Sequence, residues 1–116
     1  MPNFERETFD DIALITVNIE RATVQYTDEF KLFVKTAFSE GYTKIIIDFG
    51  AIQFMDSSFI GSLVNIVKDL RTHNGHLRLC NFSVPVLTMF ELTRMNRVFE
   101  ILPTIDKAVQ SLRKIH

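Results

Sequence analysis

The chain has 116 residues, of which 47% are hydrophobic and eleven are Phe, and this composition predicts one folded domain spanning residues 1–116. Its 13 basic and 14 acidic side chains nearly cancel and are interspersed, which argues against a nucleic-acid-binding protein and against a polybasic membrane patch. Cys80 is the only cysteine, so an internal disulfide and a thiolate zinc cage are excluded.

The N-terminal segment carries no sign of a targeting signal or a membrane anchor. Residues 1–11 are mixed and charged, without the apolar stretch of a signal peptide. No apolar run along the chain approaches the roughly 20 residues needed to cross a bilayer. We therefore expect a cytoplasmic protein that does not insert into membranes.

The first third of the chain predicts a hairpin followed by a helix. Residues 4–9 form a weak strand pattern, and Asp10-Asp11 can turn the chain into the stronger strand 12–17. Thr27 or Asp28 is expected to cap the helix, and Gly41 stands where a left-handed residue would end it. The apolar residues of this helix recur at the spacing of one face: Phe30, Phe33, Val34, Ala37 and Phe38.

The middle of the chain predicts a central strand and a second helix. Residues 45–49 are a short β-branched run, typical of a strand that is covered on both faces. The stretch QFMDSSFIGSLV at residues 53–64 then leads into a helix that ends near Asn74-Gly75. Its expected inward residues are Ile60, Leu63, Val64, Val67 and Leu70, while Ser62, Asn65, Lys68 and Asp69 are expected to face water.

The last third repeats the alternation of strand and helix. A strand is expected at 77–82, a third helix capped by Ser83 and buried through Val86, Leu87 and Phe90, and a short strand at 98–101. Pro103-Thr104 opens a last helix that runs to about Arg113. Strands alternating with helices predict an α/β sandwich with a mostly parallel sheet, an antiparallel N-terminal hairpin and about four helices.

The acid and the two hydroxyls of Asp56-Ser57-Ser58 have a structural and a functional interpretation. Asp or Ser is favoured at a helix start, because a side-chain oxygen accepts an otherwise unpaired N–H group, and such a cap contributes about 1 kcal/mol. The same position follows the carboxyl end of a central strand, where α/β sheets commonly place their functional sites. A helix N-terminus also tolerates a phosphate, so Ser57 is a candidate modification site as well as a capping residue.

Several segments together resemble the STAS domain of bacterial anti-sigma factor antagonists, from Ile12 onward. The Asp-Ser-Ser element is the specific part of this resemblance. The segments that match are Ile45–Phe49, Phe54–Ser58 with the following Gly61, Asn74–Asn81, Phe90–Thr93 and Val98-Phe99.

The resemblance implies a binding protein rather than an enzyme, with no cofactor, no metal and no catalytic residue. In that family the serine after the aspartate is phosphorylated by an anti-sigma factor that is itself a serine kinase, and a serine phosphatase resets the cycle. Carried over, this residue is Ser57, with Ser58 as a secondary candidate. The partner-binding residues implied are Asp56, Ser57 and Ser58, with Phe59, Ile60 and Ser62 as the expected rim.

Two positions depart from the family pattern. Phe59 stands where the family usually has Gly, and residues 18–22 lack the Gly and the Asp that the family often has after its second strand. An outward Phe59 would favour the alternative function, a non-switching STAS scaffold in a signalling assembly or a lipid transporter, whereas an inward Phe59 would favour the switch. The sequence leaves the oligomeric state open.

Other candidate sites have weaker support. Asp48 at a strand end is compatible with a phosphate-accepting receiver domain, but the acidic pair Asp10-Asp11 lies at the wrong end of its strand to complete a Mg²⁺ site. His73 and His76 flank a turn without nearby acidic or cysteine ligands, so turn histidines are expected rather than metal ligands. Arg94 and Arg97 with His116 could attract an anion, and a solvated helix end explains the arginines equally well.

Overall fold

The structure is a computed structural model that describes residues 1–115. The helices are α1 (Thr27–Ser39), α2 (Ser57–Thr72), α3 (Val84–Leu92) and α4 (Ile105–Arg113), with short 3-10 turns at Val24–Tyr26 and Met95–Arg97. The strands are β1 (Phe4–Phe9), β2 (Ile12–Val17), β3 (Arg21–Ala22), β4 (Lys44–Asp48), β5 (Phe54–Met55), β6 (His76–Cys80) and β7 (Glu100–Leu102).

Five of the strands form one sheet in the order β1-β2-β4-β6-β7. The β1–β2 hairpin is antiparallel, while β2–β4, β4–β6 and β6–β7 are parallel. The predicted fold class is therefore confirmed: a mostly parallel sheet, an antiparallel N-terminal hairpin and four helices. Within residues 1–115, no helix is both long enough and apolar enough to cross a membrane.

Helices cover both faces of the sheet, which explains the continuous apolar run of β4. Ile45 and Ile47 point into the larger cluster beneath α1, α2 and α3, whereas Ile46 points into the smaller cluster beneath α4. All three side chains are fully buried. Cys80 lies in the smaller cluster, where burial raises the pKa of its thiol from 9.0 to about 12, so the neutral form predominates at physiological pH.

Two strands that the sequence did not predict form a separate small sheet. β3 and β5 pair in parallel, with Arg21 opposite Phe54 and Ala22 opposite Met55. Each has only two residues, too few to produce an alternating pattern. This pair holds the chain after β2 against the chain that enters α2.

Two predicted helix starts need correction. Neither Thr27 nor Asp28 caps α1, because a 3-10 turn runs directly into the helix and the Thr27 hydroxyl donates to the Val24 carbonyl. Ser83 does precede α3, but its hydroxyl donates to the carbonyl of Ile52 at 2.7 Å and makes no capping bond.

The last two strands are also displaced from their predicted bounds. β6 ends at Cys80 because Asn81 adopts a left-handed backbone with φ of 60°. The final strand starts at Glu100 rather than at Val98, since the N–H groups of Val98 and Phe99 both donate to the Met95 carbonyl. The predicted left-handed Gly41 is confirmed, with φ of 99°.

Candidate functional site

The start of α2 is built around Asp56, which is the N-cap of the helix. One carboxylate oxygen, Oδ1, accepts the N–H of Phe59 at 2.9 Å, and the other, Oδ2, accepts the N–H of Val24 at 2.9 Å. The Asp56 N–H in turn donates to the Ala22 carbonyl at 3.1 Å. Asp56 therefore caps the helix and also fastens the segment after β3 beside it. Of the two predicted capping residues, Asp56 is the one that caps.

Ser57 and Ser58 are the first two residues of α2, and both are exposed. They follow the carboxyl end of β4 and the β5 segment, on the side of the sheet where parallel strands end. The helix N-terminus carries partial positive charge from its unpaired N–H groups. The Ser57 hydroxyl is thus accessible, and its surroundings tolerate negative charge.

Phe59 faces the interior, which corrects its placement on a partner-binding rim. Its ring has 0% exposure and stacks on the ring of Phe30 with centroids 4.7 Å apart and an interplanar angle of 23°. The large apolar group in the first turn of α2 therefore joins α2 to α1 and leaves the surface around Ser57 free of its bulk.

Ser62 is also buried, contrary to the expectation that it faces water and contributes to the rim. Its exposure is 3%, and its hydroxyl donates to the Phe59 carbonyl at 2.6 Å. A serine fits there because its one polar group is satisfied within the helix. Ile60 is half-buried and stays a predicted rim residue.

Three apolar side chains that lie on the segments adjoining the start of α2 are exposed. Val24 is 61% exposed, Phe54 41% and Val84 77%. Val24 is tied to Asp56, Phe54 belongs to β5, and Val84 follows the serine that bonds to Ile52. We call the residues Val24, Phe54, Ser57, Ser58 and Val84 the Ser57 face.

Sequence reasoning missed Val24 and Val84. Val84 stands two positions before the first buried residue of α3, and Val24 lies in a 3-10 turn that contains no buried residue, so neither belongs to a run of buried residues with helical spacing. An apolar residue that is out of phase with its helix is the signal that could have identified them. Phe54 makes a cation–π contact, because the Arg21 guanidinium lies 4.4 Å from the centroid of its ring.

The carboxylates considered for a receiver domain have structural roles instead. Asp48 Oδ1 accepts the Gly50 N–H at 2.8 Å and an Asn81 Nδ2–H at 3.1 Å, so the carboxylate closes the turn after β4. Asp11 pairs with Lys44 at 2.8 Å, at the opposite end of the parallel strands from Asp48. The acidic pair is therefore not beside Asp48, as it would be in a receiver domain. That hydrogen bond with Lys44 lowers the pKa of Asp11.

The two histidines separate in the structure. His73 packs edge-on against Phe38 with ring centroids 4.7 Å apart, whereas His76 begins β6. Among residues 1–115, no group of three or more His, Cys, Asp or Glu side chains is placed to hold a metal ion. His116 lies outside the described residues.

Comparisons with known proteins agree with this fold. The family model of the STAS domain matches residues 4–108. A Thermotoga maritima protein named "Putative anti-sigma factor antagonist" is 28% identical over 112 residues, which are 96% of this chain and 98% of that protein. A crystal structure of a Thermotoga maritima protein with the same description has a TM-score of 0.88 at 26% identity, covering 95% of this chain and 94% of that chain.

Two further comparisons are more distant. A Paenibacillus polymyxa protein named "Anti-sigma F factor antagonist" is 28% identical over 71 residues, which are 61% of this chain and 58% of that protein. The structure of the Bacillus protein SpoIIAA in its unphosphorylated form has a TM-score of 0.73 at 23% identity and covers 97% of this chain and 99% of that one. This last likeness is one of fold.

Proposed function

The chain belongs to the STAS domain family, and from that premise we propose that it is an anti-sigma factor antagonist whose binding to an anti-sigma factor serine kinase is switched off by phosphorylation of Ser57. Two relatives that carry the antagonist name support the first part of the proposal. The protein acts by binding in the cytoplasm rather than by catalysis, and a serine phosphatase restores the binding form.

The observation that carries the switch is the contrast between Ser57 and Phe59. The hydroxyl is exposed on the first residue of α2, while the aromatic ring two residues later is fully buried. A kinase can therefore reach the Ser57 oxygen without unpacking the helix. Phosphoryl transfer would break the bond between the γ-phosphorus of ATP and its bridging oxygen, form an O–P bond to Ser57 and release ADP, with the hydroxyl proton passing to the kinase.

The Ser57 face offers a docked protein an apolar surface around this hydroxyl. Val24, Phe54 and Val84 are all more than one-third exposed and lie on three different segments. Burying such side chains contributes about 25 cal/mol per Å² of apolar surface. The bound partner would exclude water from the helix start, so a phosphate on Ser57 would lie within the interface and would change the affinity directly.

The charge of a phosphate can account for release. At neutral pH it adds about −1.5 to −2 charges. Shifting a complex from 99:1 bound to 1:99 requires roughly 5.5 kcal/mol of differential binding. Placing an unpaired dianion in a closed interface has a cost of several kcal/mol or more, since burying even one unpaired polar group costs a few kcal/mol. One cation, the Arg21 guanidinium of β3, lies on the strand that pairs with β5, and it is already in contact with the Phe54 ring.

The direct test is to incubate the full chain with candidate anti-sigma kinases and ATP and to map the added mass. We expect one phosphate on Ser57 in the wild type and none on that peptide in Ser57→Ala. Ser57→Asp is expected to bind the kinase at least about 100-fold more weakly than Ser57→Ala. The matched control is Ser58→Ala, an exposed neighbour whose loss should leave phosphorylation intact.

Two outcomes would contradict the proposal. Phosphate on another residue together with unchanged binding by Ser57→Asp would remove the switch. Tight binding to a permanent partner that is insensitive to every change at Ser57 would favour the non-switching scaffold instead. The burial of Phe59 counts against that alternative, because it removes one of the two rings that the scaffold would present.

A further inference from the structure

The amino-terminal end of β6 borders a polar hollow of about 520 Å³, remote from the Ser57 face. β7 begins at Glu100, opposite Arg78, so His76 and Leu77 have no neighbouring strand on that side among residues 1–115. The hollow occupies this gap at the edge of the sheet. Because β4 and β6 are parallel, it lies at the opposite end of the sheet from the start of α2.

Three arginines from three different elements line the hollow. Arg71 comes from the last turn of α2, Arg78 from β6 and Arg97 from the 3-10 turn before β7. Glu100 is the one acidic residue in the lining. With three guanidinium groups against one carboxylate, the net charge of the lining is about +2 before any contribution from His76.

The arginines of the hollow are not consumed by ion pairs. The three ion pairs found within residues 1–115 involve neither Arg71 nor Arg97, nor Glu100. Arg78 is held in place instead, because its Nε donates to Ser111 Oγ at 2.9 Å and its Nη1 to the Leu77 carbonyl at 3.1 Å. The Arg78 side chain is thus fixed by its hydrogen bonds to Ser111 and Leu77, whereas the Arg71 and Arg97 side chains are in none of the ion pairs found within residues 1–115.

Two carbonyl groups at the end of α2 already accept hydrogen bonds within the chain. The Leu70 carbonyl accepts the N–H of Gly75 at 2.6 Å and that of His73 at 3.0 Å, and the Arg71 carbonyl accepts the N–H of Asn74 at 3.3 Å. These two carbonyls, of the four that a helix C-terminus leaves unpaired, are therefore satisfied by the turn that follows α2. A concave surface of one charge sign concentrates oppositely charged ligands.

We propose that this hollow binds the phosphate group of a small phosphorylated molecule that also carries hydroxyl groups. Guanidinium groups bind phosphate oxygens with paired hydrogen bonds, and the volume lies in the range of small-ligand sites. Glu100 repels a bare anion but accepts hydrogen bonds from hydroxyls, so it favours a sugar phosphate over inorganic phosphate.

The test is an amide NMR titration of the full chain with ribose 5-phosphate, inorganic phosphate and ribose. We expect saturable shifts around Gly75, His76 and Val98, with ribose 5-phosphate bound more tightly than inorganic phosphate and ribose not bound. Absence of saturable shifts there up to about 10 mM ligand would overturn the site, and equal affinity for the two phosphates would overturn the role of Glu100.

Two arginine variants separate a site from general positive charge. Arg97→Gln is expected to weaken ribose 5-phosphate binding about tenfold, since it removes a charged hydrogen-bond donor. Arg94→Gln makes the same change of charge three residues away, outside the lining, and is expected to weaken binding less than about twofold because salt screens distant charges. Equal weakening by both variants would overturn the proposal.

Discussion

Replacing Phe59 by Ala tests whether this ring belongs to the core or to the partner surface. The side chain has 0% exposure and stacks on Phe30, whose ring in turn lies 5.3 Å from that of Phe4. Truncating a buried Phe to Ala costs about 3–5 kcal/mol through lost transfer free energy and the cavity left behind. A domain of this kind is stable by only about 5–15 kcal/mol, so the loss is a large part of the total.

Urea unfolding followed by circular dichroism measures this cost. We expect Phe59→Ala to lower the free energy of unfolding by about 4 kcal/mol with an unchanged dependence on urea. Phe54→Ala is the matched control, an exposed ring five residues earlier in the chain. Its expected cost is about 1 kcal/mol or less, mainly the loss of the contact with Arg21.

For partner binding we expect the opposite order, with the larger effect from a substitution at Phe54 and the smaller from one at Phe59. Phe59→Leu keeps most of the buried volume, so its binding to the anti-sigma kinase is expected to be unchanged, whereas Phe54→Ala removes exposed apolar surface from the Ser57 face and should weaken binding. A cost below about 1 kcal/mol for Phe59→Ala would refute the assignment of this ring to the core, because no buried Phe is removed so cheaply.

Three further changes have expected outcomes that stability measurements can check. Asp56→Ala removes both the cap of α2 and the acceptor of the Val24 N–H and should cost about 1–2 kcal/mol in urea unfolding, while Asp56→Asn keeps one oxygen for the Phe59 N–H, loses the acceptor of the Val24 N–H and should cost less than Asp56→Ala. Gly61→Ala meets no atom within 4 Å and should raise the midpoint of unfolding, whereas Gly75→Ala would place its Cβ 2.8 Å from the Thr43 carbonyl oxygen and should lower it; the opposite order would contradict the packing at β6. The pKa of about 12 for the folded Cys80 thiol means that stability present below pH 9 is lost as the pH rises toward 12, by about 1.4 kcal/mol per unit. Cys80→Ala should not show this loss of stability, so the free energy of unfolding of the two proteins should differ in its pH dependence between pH 9 and pH 12. The same pH dependence for both proteins would contradict the raised pKa of Cys80.

The residues that alternate or recur with a clear period could be predicted from the sequence. β1 and β2 have their expected bounds, and Phe30, Val34 and Ala37 are buried on the predicted face of α1. These patterns work because burial of one face depends on the spacing of apolar residues alone. The cap at Asp56 could also be predicted, since it depends on local hydrogen bonding.

Features that depend on the hydrogen-bond partner of a single polar atom could not be predicted. Ser83 has the sequence position of a cap, yet its hydroxyl reaches Ile52, which is 31 residues away in the chain. The polarity of Ser62 predicts exposure to water, but a hydroxyl that bonds within its own helix can be buried at small cost. For both residues, the acceptor of the hydroxyl group determines the structural role of the side chain. The spacing of apolar residues in the sequence does not indicate which atom that acceptor is.

The contacts of Asp56 also indicate where the energy of the proposed switch would act. A phosphate on Ser57 could compete with the Asp56 carboxylate for the Phe59 N–H, and losing that cap would cost the domain only about 1 kcal/mol. This is far below the roughly 5.5 kcal/mol needed to reverse a binding equilibrium, so most of the effect must arise in the interface. We therefore expect the phosphorylated chain to melt within about 5 °C of the unmodified one while its binding to the kinase falls about 10⁴-fold, the change that corresponds to roughly 5.5 kcal/mol. A much larger drop in melting temperature on phosphorylation would show instead that the switch works by unfolding the start of α2.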